Sequence, residues 1–258
     1  MDYSLITFFL VVVLFGSYFQ SVTGFAMGMI IVSLLGGLRF VDIPVLTAVI
    51  SLLTIVNVIL ALKGRLHEVD RRLFLWLGLG QVPAIFVGLS LMNWLDLNSR
   101  WVLEVCLGVF ISLGSLSMVL KPEPNKDRSN RLTTWVFGTL GGFVGGMFSA
   151  SGPVLGWFGY RQPLPMAVIR STLLACFILT TSTRTILVGA GGDLTREVLI
   201  LVLLGLPIVV CGTWLGRRFP PNLSETKIKR LAFGLMLLIG LWITVSSCLL
   251  YTSDAADE

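Results

Sequence analysis

The run GSYFQSVTG at residues 16–24 interrupts an apolar segment that extends over residues 5–37. A second run, GGMFSASGP at residues 145–153, interrupts the apolar segment 132–160 in the same way. Clustered glycines loosen a helix, and a proline removes a backbone donor from it. The sequence therefore predicts two long apolar segments that are each broken near the middle.

The two interrupted segments open two copies of one unit. Gly24 recurs as Gly146 and Pro44 as Pro165, about 120 residues later. We predict repeat 1 over residues 1–120, a cytoplasmic linker over 121–131 and repeat 2 over 132–247. The apolar segments are predicted at 5–37, 43–62, 73–92 and 101–120, and then at 132–160, 165–189, 197–216 and 228–247.

Composition decides the class of protein. Hydrophobic residues make up 55% of the chain, charged residues make up 13%, and the mean hydropathy is +0.89. Most apolar segments have the length of a membrane-crossing helix. We predict an all-α, polytopic integral membrane protein surrounded by the lipid bilayer. The net charge of +5 does not indicate nucleic acid, because the basic residues lie in short loops. The start Met1-Asp2 has no basic leader, so no cleavable signal peptide is expected.

The positions of the basic residues bear on topology. They collect in the loop after segment 43–62, in the central linker and in the loop after segment 197–216. Simple alternation of eight spans would separate these groups, against the positive-inside tendency. If each broken segment is a re-entrant hairpin or a pair of short crossings, all three groups become cytoplasmic. The two repeats are then inverted and both termini lie outside. An eight-span parallel duplication stays open as the alternative.

The two breaks are predicted to form a binding site. Irregular backbone at membrane depth is tolerated only against protein or a water-filled cavity, and the ends of half-helices present N–H groups that suit an anion. The candidate ligands are the polar and glycine residues of both runs: Gln20, Ser21, Thr23, Gly24, Ser149, Ser151 and Gly152. The alternative is that these small residues only let helices pack closely.

Two arginines lie within apolar segments. Arg170 follows Pro165 by about a turn and a half, and a desolvated guanidinium there would need pairing or water. It is the best single candidate for an anion ligand, and the alternative is that it extends to the membrane interface. Arg184 corresponds to Lys63 in the repeat and is interpreted as the end of a helix.

Enzyme chemistry is not indicated. The single histidine, His67, lies in a charged loop, so no Ser–His relay and no paired-histidine zinc site is available. The four cysteines are isolated and no Walker-type loop occurs. We expect no catalytic residue, no metal and no cofactor.

The repeated, Gly-rich, broken first segments and the Gly-rich third segments resemble the TauE/SafE (sulfite exporter, TSUP) family of membrane transporters over residues 5 to about 247. The resemblance implies export of a small anion, such as sulfite, an organosulfonate or a related organic acid, across the bacterial cytoplasmic membrane. It implies a secondary transporter working by alternating access, with a proton or sodium ion as the possible coupling ion. Arg170 stands where the family more often has small or hydroxyl residues. A passive anion channel and a non-transport sensor or assembly subunit are the alternatives. The exact substrate and the oligomeric state do not follow from the sequence.

Residues 248–258 are interpreted separately. They resemble the translation of a sequencing adapter, so we expect them to be an assembly artefact and exclude their acidic residues from every charge argument.

Overall fold

The computed structural model describes residues 3–38, 40–120, 124–219, 234 and 236–248. In this part of the chain the regular structure is entirely helical, which confirms the predicted all-α fold class. The helices are α1 (Tyr3–Thr23), α2 (Met27–Ile31, continued by a π-helical turn at Val32–Gly36), α3 (Ile43–Leu62), α4 (Arg71–Asn98), α5 (Arg100–Val119), α6 (Arg131–Phe148), α7 (Gly152–Tyr160), α8 (Met166–Gly191), α9 (Arg196–Arg218) and α10 (Met236–Cys248). A 3₁₀ turn at Leu66–Glu68 joins α3 to α4.

Six of the described helices are long and apolar enough to cross a membrane: α1, α3, α4, α5, α8 and α9. The predicted boundaries of segment 43–62 coincide with α3. Segment 73–92 was predicted too short, because α4 continues to Asn98 and accommodates Pro83 in its interior. Of segment 228–247, residues 228–233 and 235 lie outside the described part of the chain, as do residues 249–258 of the suspected artefact.

Each long segment is broken, the first at residues 24–26, at the end of the run 16–24, and the second at residues 149–151, inside the run 145–153. The segment 5–37 divides into α1 and α2 with its π turn, and the segment 132–160 divides into α6 and α7. We call residues 24–26 the first tip and residues 149–151 the second tip.

Helices α4 and α6 pack closely through glycines. A Cβ atom on Gly138, Gly142 or Gly146 would overlap the backbone of α4, and one on Gly80 or Gly88 would overlap the backbone of α6. These glycines recur every four residues on α6 and every eight on α4, so they line one face of each helix. Without side chains on that face the two backbones come into contact, as in other membrane helix pairs.

Polar contacts place the three basic groups at one end of the helix bundle, which we call the basic end. Arg217 donates to the carbonyl oxygens of Leu60 and Lys63 at the end of α3. Arg128 of the linker lies 3.2 Å from Asp70, just before α4. The loop after α3, the linker and the end of α9 are therefore neighbours.

The two broken segments start from different ends of the bundle. The rings of Phe8 in α1 and Phe40 beyond α2 are 5.3 Å apart, so the first segment returns to the end from which it started. In the second segment, Arg161 after α7 bonds Asn125 of the linker (3.1 Å), so α7 returns to the basic end. This order of ends is compatible with the predicted inverted repeats, and the inversion stays a prediction.

Candidate functional site

Both tips have unusual backbone geometry. Ala26 has φ 120° and Ser149 has φ 53°, and they are the two non-glycine residues with positive φ in the described chain. Gly24 also has a positive φ, of 84°. Strained backbone of this kind persists only where the surrounding structure holds it, and it is concentrated at functional sites. Here it is found in both breaks.

The two breaks meet inside the bundle. A Cβ atom on Gly28, in the first turn of α2, would overlap the carbonyl oxygen of Ser149. One on Gly152 would lie 3.2 Å from the Phe25 ring. The absence of these side chains lets the first turn of α2 and the second tip touch.

A small cavity of about 20 Å³ lies where the breaks meet. Thr54, at the middle of α3, and Thr180 and Thr181, near the middle of α8, form part of its wall. The cavity is therefore about halfway between the two ends of the bundle. Its volume suits about one water molecule. It is lined by Gln20, Ala26, Gly28, Met29, Thr54, Ser149, Ala150, Ser151, Gly152, Phe177, Thr180 and Thr181.

Gln20 lines this cavity and has an amide donor without a partner in the described chain. Its side chain is 2% exposed, and its Oε1 atom accepts the Met27 N–H at 3.1 Å. The Nε2 atom is buried and has no hydrogen-bond partner among the described residues. A buried amide nitrogen without a partner is unfavourable by about 1–3 kcal/mol. A ligand with acceptor oxygens would remove that penalty.

The second tip adds further donors. Ser151 precedes α7, Gly152 is its first residue, and both line the cavity. The first N–H groups of a helix have no partner within the helix and carry partial positive charge. Because Gln20 lines the same cavity, residues with amide donors come to it from both broken segments.

The other predicted residues lie around the cavity rather than on its wall. Thr23 ends α1, and its carbonyl oxygen accepts the Tyr160 hydroxyl at 2.8 Å. Gly24 packs against the backbone and Cβ of Arg170. Ser21 faces α9 instead, where a Cβ on Gly216 would overlap its hydroxyl oxygen. Of the eight predicted site residues, the structure brings Gln20, Ser149, Ser151 and Gly152 onto one cavity.

The interpretation of Arg184 as a helix end is wrong. Arg184 lies inside α8, well before its last residue, Gly191, and is 0% exposed. Helix α8 is longer than its repeat counterpart α3, so the alignment with Lys63 did not indicate the end of the helix. The guanidinium reaches Gly146 of α6, just before the second tip, rather than the surface.

Neutral groups surround the Arg184 guanidinium. Nε donates to the Gly146 carbonyl oxygen (2.9 Å), Nη1 to Ser51 Oγ (3.0 Å) and Nη2 to Thr47 Oγ1 (2.7 Å). The Met92 sulfur lies 3.6 Å from Nη2. Within the described chain, no carboxylate lies within 4 Å of it.

The sequence carried signals for these residues. Thr47, Ser51 and Thr54 stand at spacings of four and three in an otherwise apolar helix, which places them on one face. The run TTSTRT at residues 180–185 marks the facing stretch of α8. A polar stripe on a membrane helix indicates a protein-facing or water-facing side.

One face of α8 runs alongside both breaks. Arg170 lies against the first tip, Phe177 and Thr181 lie on the cavity, and Arg184 contacts α6 next to the second tip. The spacing from Arg170 to Arg184 corresponds to about four helical turns, so both arginines lie on the same side of α8.

In the described part of the chain, no group of three or more His, Cys, Asp or Glu side chains is placed to hold a metal ion.

Comparisons with known proteins identify the family of the chain. The family model described as "Sulfite exporter TauE/SafE" matches residues 8–243. The chain is 39% identical over 225 residues to the probable sulfite/organosulfonate exporter TauE of Cupriavidus necator, an alignment that covers 87% of this chain and 88% of the relative. No solved structure matches the chain. With a family model over nearly its whole length and a relative of this identity and coverage, the chain belongs to the TauE/SafE sulfite exporter family of membrane transporters.

Proposed function

We propose that the chain exports a small sulfur oxyanion, sulfite or an organosulfonate, across the bacterial cytoplasmic membrane by alternating access. The carrying observation is the cavity between the two breaks, where the unpartnered Gln20 amide and the start of α7 both present donors. Donors without acceptors suit a ligand whose surface consists of acceptor oxygens. The relative from Cupriavidus necator is named for sulfite and organosulfonates, and the same chemistry fits this cavity.

The small size of the cavity supports a mechanism with moving elements. At about 20 Å³ it is too small for an oxyanion of several heavy atoms. The two tips must therefore part before the anion binds. In the proposal, the inverted hairpins open the site alternately to the two ends of the bundle, as repeat-related elements do in other transporters. A permanently open channel is less compatible with a cavity this small.

Thr23, Gly24 and Arg170 belong to this proposal as groups that the anion meets at the first tip. They lie between the cavity and the basic end, where Tyr160 and Arg161 are also found. The positive-inside tendency assigns the basic end to the cytoplasm, so Arg170 stands on the entry side for export. Ser21 lies in the contact between α1 and α9, and we do not include it in the proposed site.

The driving force can come from the membrane potential or from a coupled ion. An inside-negative potential favours exit of a monoanion by about 2.3 kcal/mol per 100 mV. Coupling to a proton or sodium ion is the other part of the proposal. Uptake measured under an imposed membrane potential, pH gradient or sodium gradient distinguishes the potential, the proton and the sodium ion as driving forces.

The test is uptake of radiolabelled sulfite and sulfoacetate into everted vesicles, with acetate and vesicles lacking the protein as controls. We expect saturable uptake of a sulfur oxyanion and little uptake of acetate. Arg170→Ala should take up less at an unchanged amount of protein in the membrane. Uptake that never saturates would indicate a channel, and no uptake of either sulfur compound would contradict the proposed substrate class.

A further inference from the structure

Among the described residues, Arg184 is the one lysine or arginine that is fully buried, and it does not line the cavity. Ser149 lines the cavity, and its Oγ atom lies 2.8 Å from Ser51 Oγ. Ser51 Oγ in turn accepts a hydrogen bond from Arg184 Nη1. The guanidinium is thus connected to the cavity wall through two hydroxyl groups.

We propose that Arg184 is the positioning residue that supplies the positive charge of the anion site, acting on the anion through the hydroxyls of Ser51 and Ser149. This inference rests on the proposed function, because it assigns the source of anion selectivity in that same cavity. It adds Arg184 and Ser51 to the site, and neither residue contacts the cavity directly.

The Ser51 and Ser149 hydroxyl protons can be arranged in two ways, and an acceptor in the cavity favours one of them. The guanidinium always donates, so Ser51 Oγ accepts from it. Ser51 then has one proton, which can go to the Thr47 carbonyl oxygen (2.8 Å) or to Ser149 Oγ. If this proton goes to Ser149 Oγ, the Ser149 hydroxyl can donate its own proton in a hydrogen bond to a group in the cavity. An anion there favours this second arrangement, because each bond in such a chain polarises the next.

No carboxylate in the described chain pairs directly with Arg184, and Asp193, just beyond the end of α8, interacts with it only at longer range. Its described acceptors are a carbonyl oxygen, two hydroxyl oxygens and a thioether sulfur. Neutral dipoles satisfy the N–H groups but leave a net positive charge in a medium of low dielectric constant, where fields extend further than in water. A bound anion would provide the missing charge.

A purely structural role makes a different prediction. Arg184 bridges α8 to α3 and α6 through Thr47, Ser51 and Gly146. If it only holds these helices together, its replacement lowers stability and weakens charged and neutral ligands to the same extent. If it supplies charge, its replacement weakens anions selectively.

The test therefore compares an anion with a neutral compound of similar shape, methanesulfonate with dimethyl sulfone, as competitors of radiolabelled sulfite on the purified full chain. Wild type should prefer the anion. Arg184→Gln should lose about tenfold or more of that preference, whereas Arg184→Lys, which keeps the charge, should retain most of it. A folded Arg184→Gln variant with wild-type preference would overturn the inference and leave the proposed function intact.

Two smaller changes decide the matter if Arg184→Gln does not accumulate in the membrane. Ser51→Ala removes the first hydroxyl of the connection. Ser149→Gly removes the second and suits the positive φ of that position. Both should reduce the preference for methanesulfonate over dimethyl sulfone, and an unchanged preference in both would overturn the inference. Wild-type protein that binds neither sulfite nor methanesulfonate would overturn the proposed function together with it.

Discussion

At the scale of the residue, two buried glutamines have different surroundings. Gln20 lies on the cavity, with one amide atom bonded to Met27 and the other without a partner in the described chain. Gln81 lies on α4, next to the closely packed Gly142 of α6, and neither of its amide atoms has a partner there. Gln81 does not line the cavity. Gln20 is therefore a buried polar group for which we propose a ligand, and Gln81 is one for which we propose none.

Replacing these glutamines with leucine should have opposite consequences. Gln20→Leu removes a donor to the anion and should reduce sulfite uptake by about tenfold or more, with only a small change in thermal stability. Gln81→Leu removes two unsatisfied buried atoms, so stability should be unchanged or higher and uptake should be unchanged. The measurements are vesicle uptake and the midpoint of thermal unfolding. Equal losses of uptake in the two variants would contradict the assignment of Gln20.

At the scale of the element, the α4–α6 contact shows how the spacing of glycines determines how closely two helices pack. Gly138, Gly142 and Gly146 on α6 meet the backbone of α4 at Leu77, Gln81 and Ile85. Because helix–helix association in a membrane depends on close packing rather than on water exclusion, a side chain at the centre of this face separates the backbones. The contact with α4 also fixes the position of the end of α6, whose last residues precede the second tip.

We therefore expect Gly142→Val to destabilise the protein. Overpacking typically lowers stability by about 1–3 kcal/mol, which corresponds to a fall of about 3 °C or more in the unfolding midpoint. Leu140→Val is the matched control, since Leu140 is on the same helix and 49% exposed. Thermal unfolding in detergent compares the two. An equal effect of both substitutions would show that the glycine face does not determine the packing.

At the scale of the whole molecule, the basic end is the feature that relates the structure to the membrane. The loop after α3, the linker and the end of α9 meet there through Arg217 and Arg128. The turn between α4 and α5 lies at the opposite end, where Arg100 pairs with Asp42. Helix α8 starts near the basic end, where Ser171 bonds Glu68 at 2.6 Å, and so ends at the opposite one.

Cysteine labelling in intact cells tests this topology. In a background without the native cysteines, an impermeant thiol reagent added from outside should label Asn98→Cys and Ala190→Cys. It should label His67→Cys and Lys126→Cys only after the cells are opened. A parallel eight-span duplication would place Ala190 on the same side as Lys126, so protection of Ala190→Cys in intact cells would contradict the inverted arrangement.

Much of the fold follows from local properties of the sequence. The apolar length of a segment determines whether it can cross the membrane, and glycine and proline act on the backbone where they stand. The sequence alone therefore predicted α3 at residues 43–62, the breaks near Gly24 and Ser149, and the membrane class. The amide and hydroxyl groups of Gln20, Ser149 and Ser151 were predicted as site residues for the same local reason.

The tertiary structure decided which groups meet. Ser51 and Ser149, or Ser51 and Arg184, are far apart in the chain, and their hydrogen bonds depend on how α3, α6 and α8 are rotated about their axes. Local sequence does not set that rotation, because an arginine in a polar run is compatible with a helix end and with a buried position. Only the packing of α8 against α3 and α6 placed Arg184 inside the bundle, and only the close approach at Gly28 brought the two breaks onto one cavity.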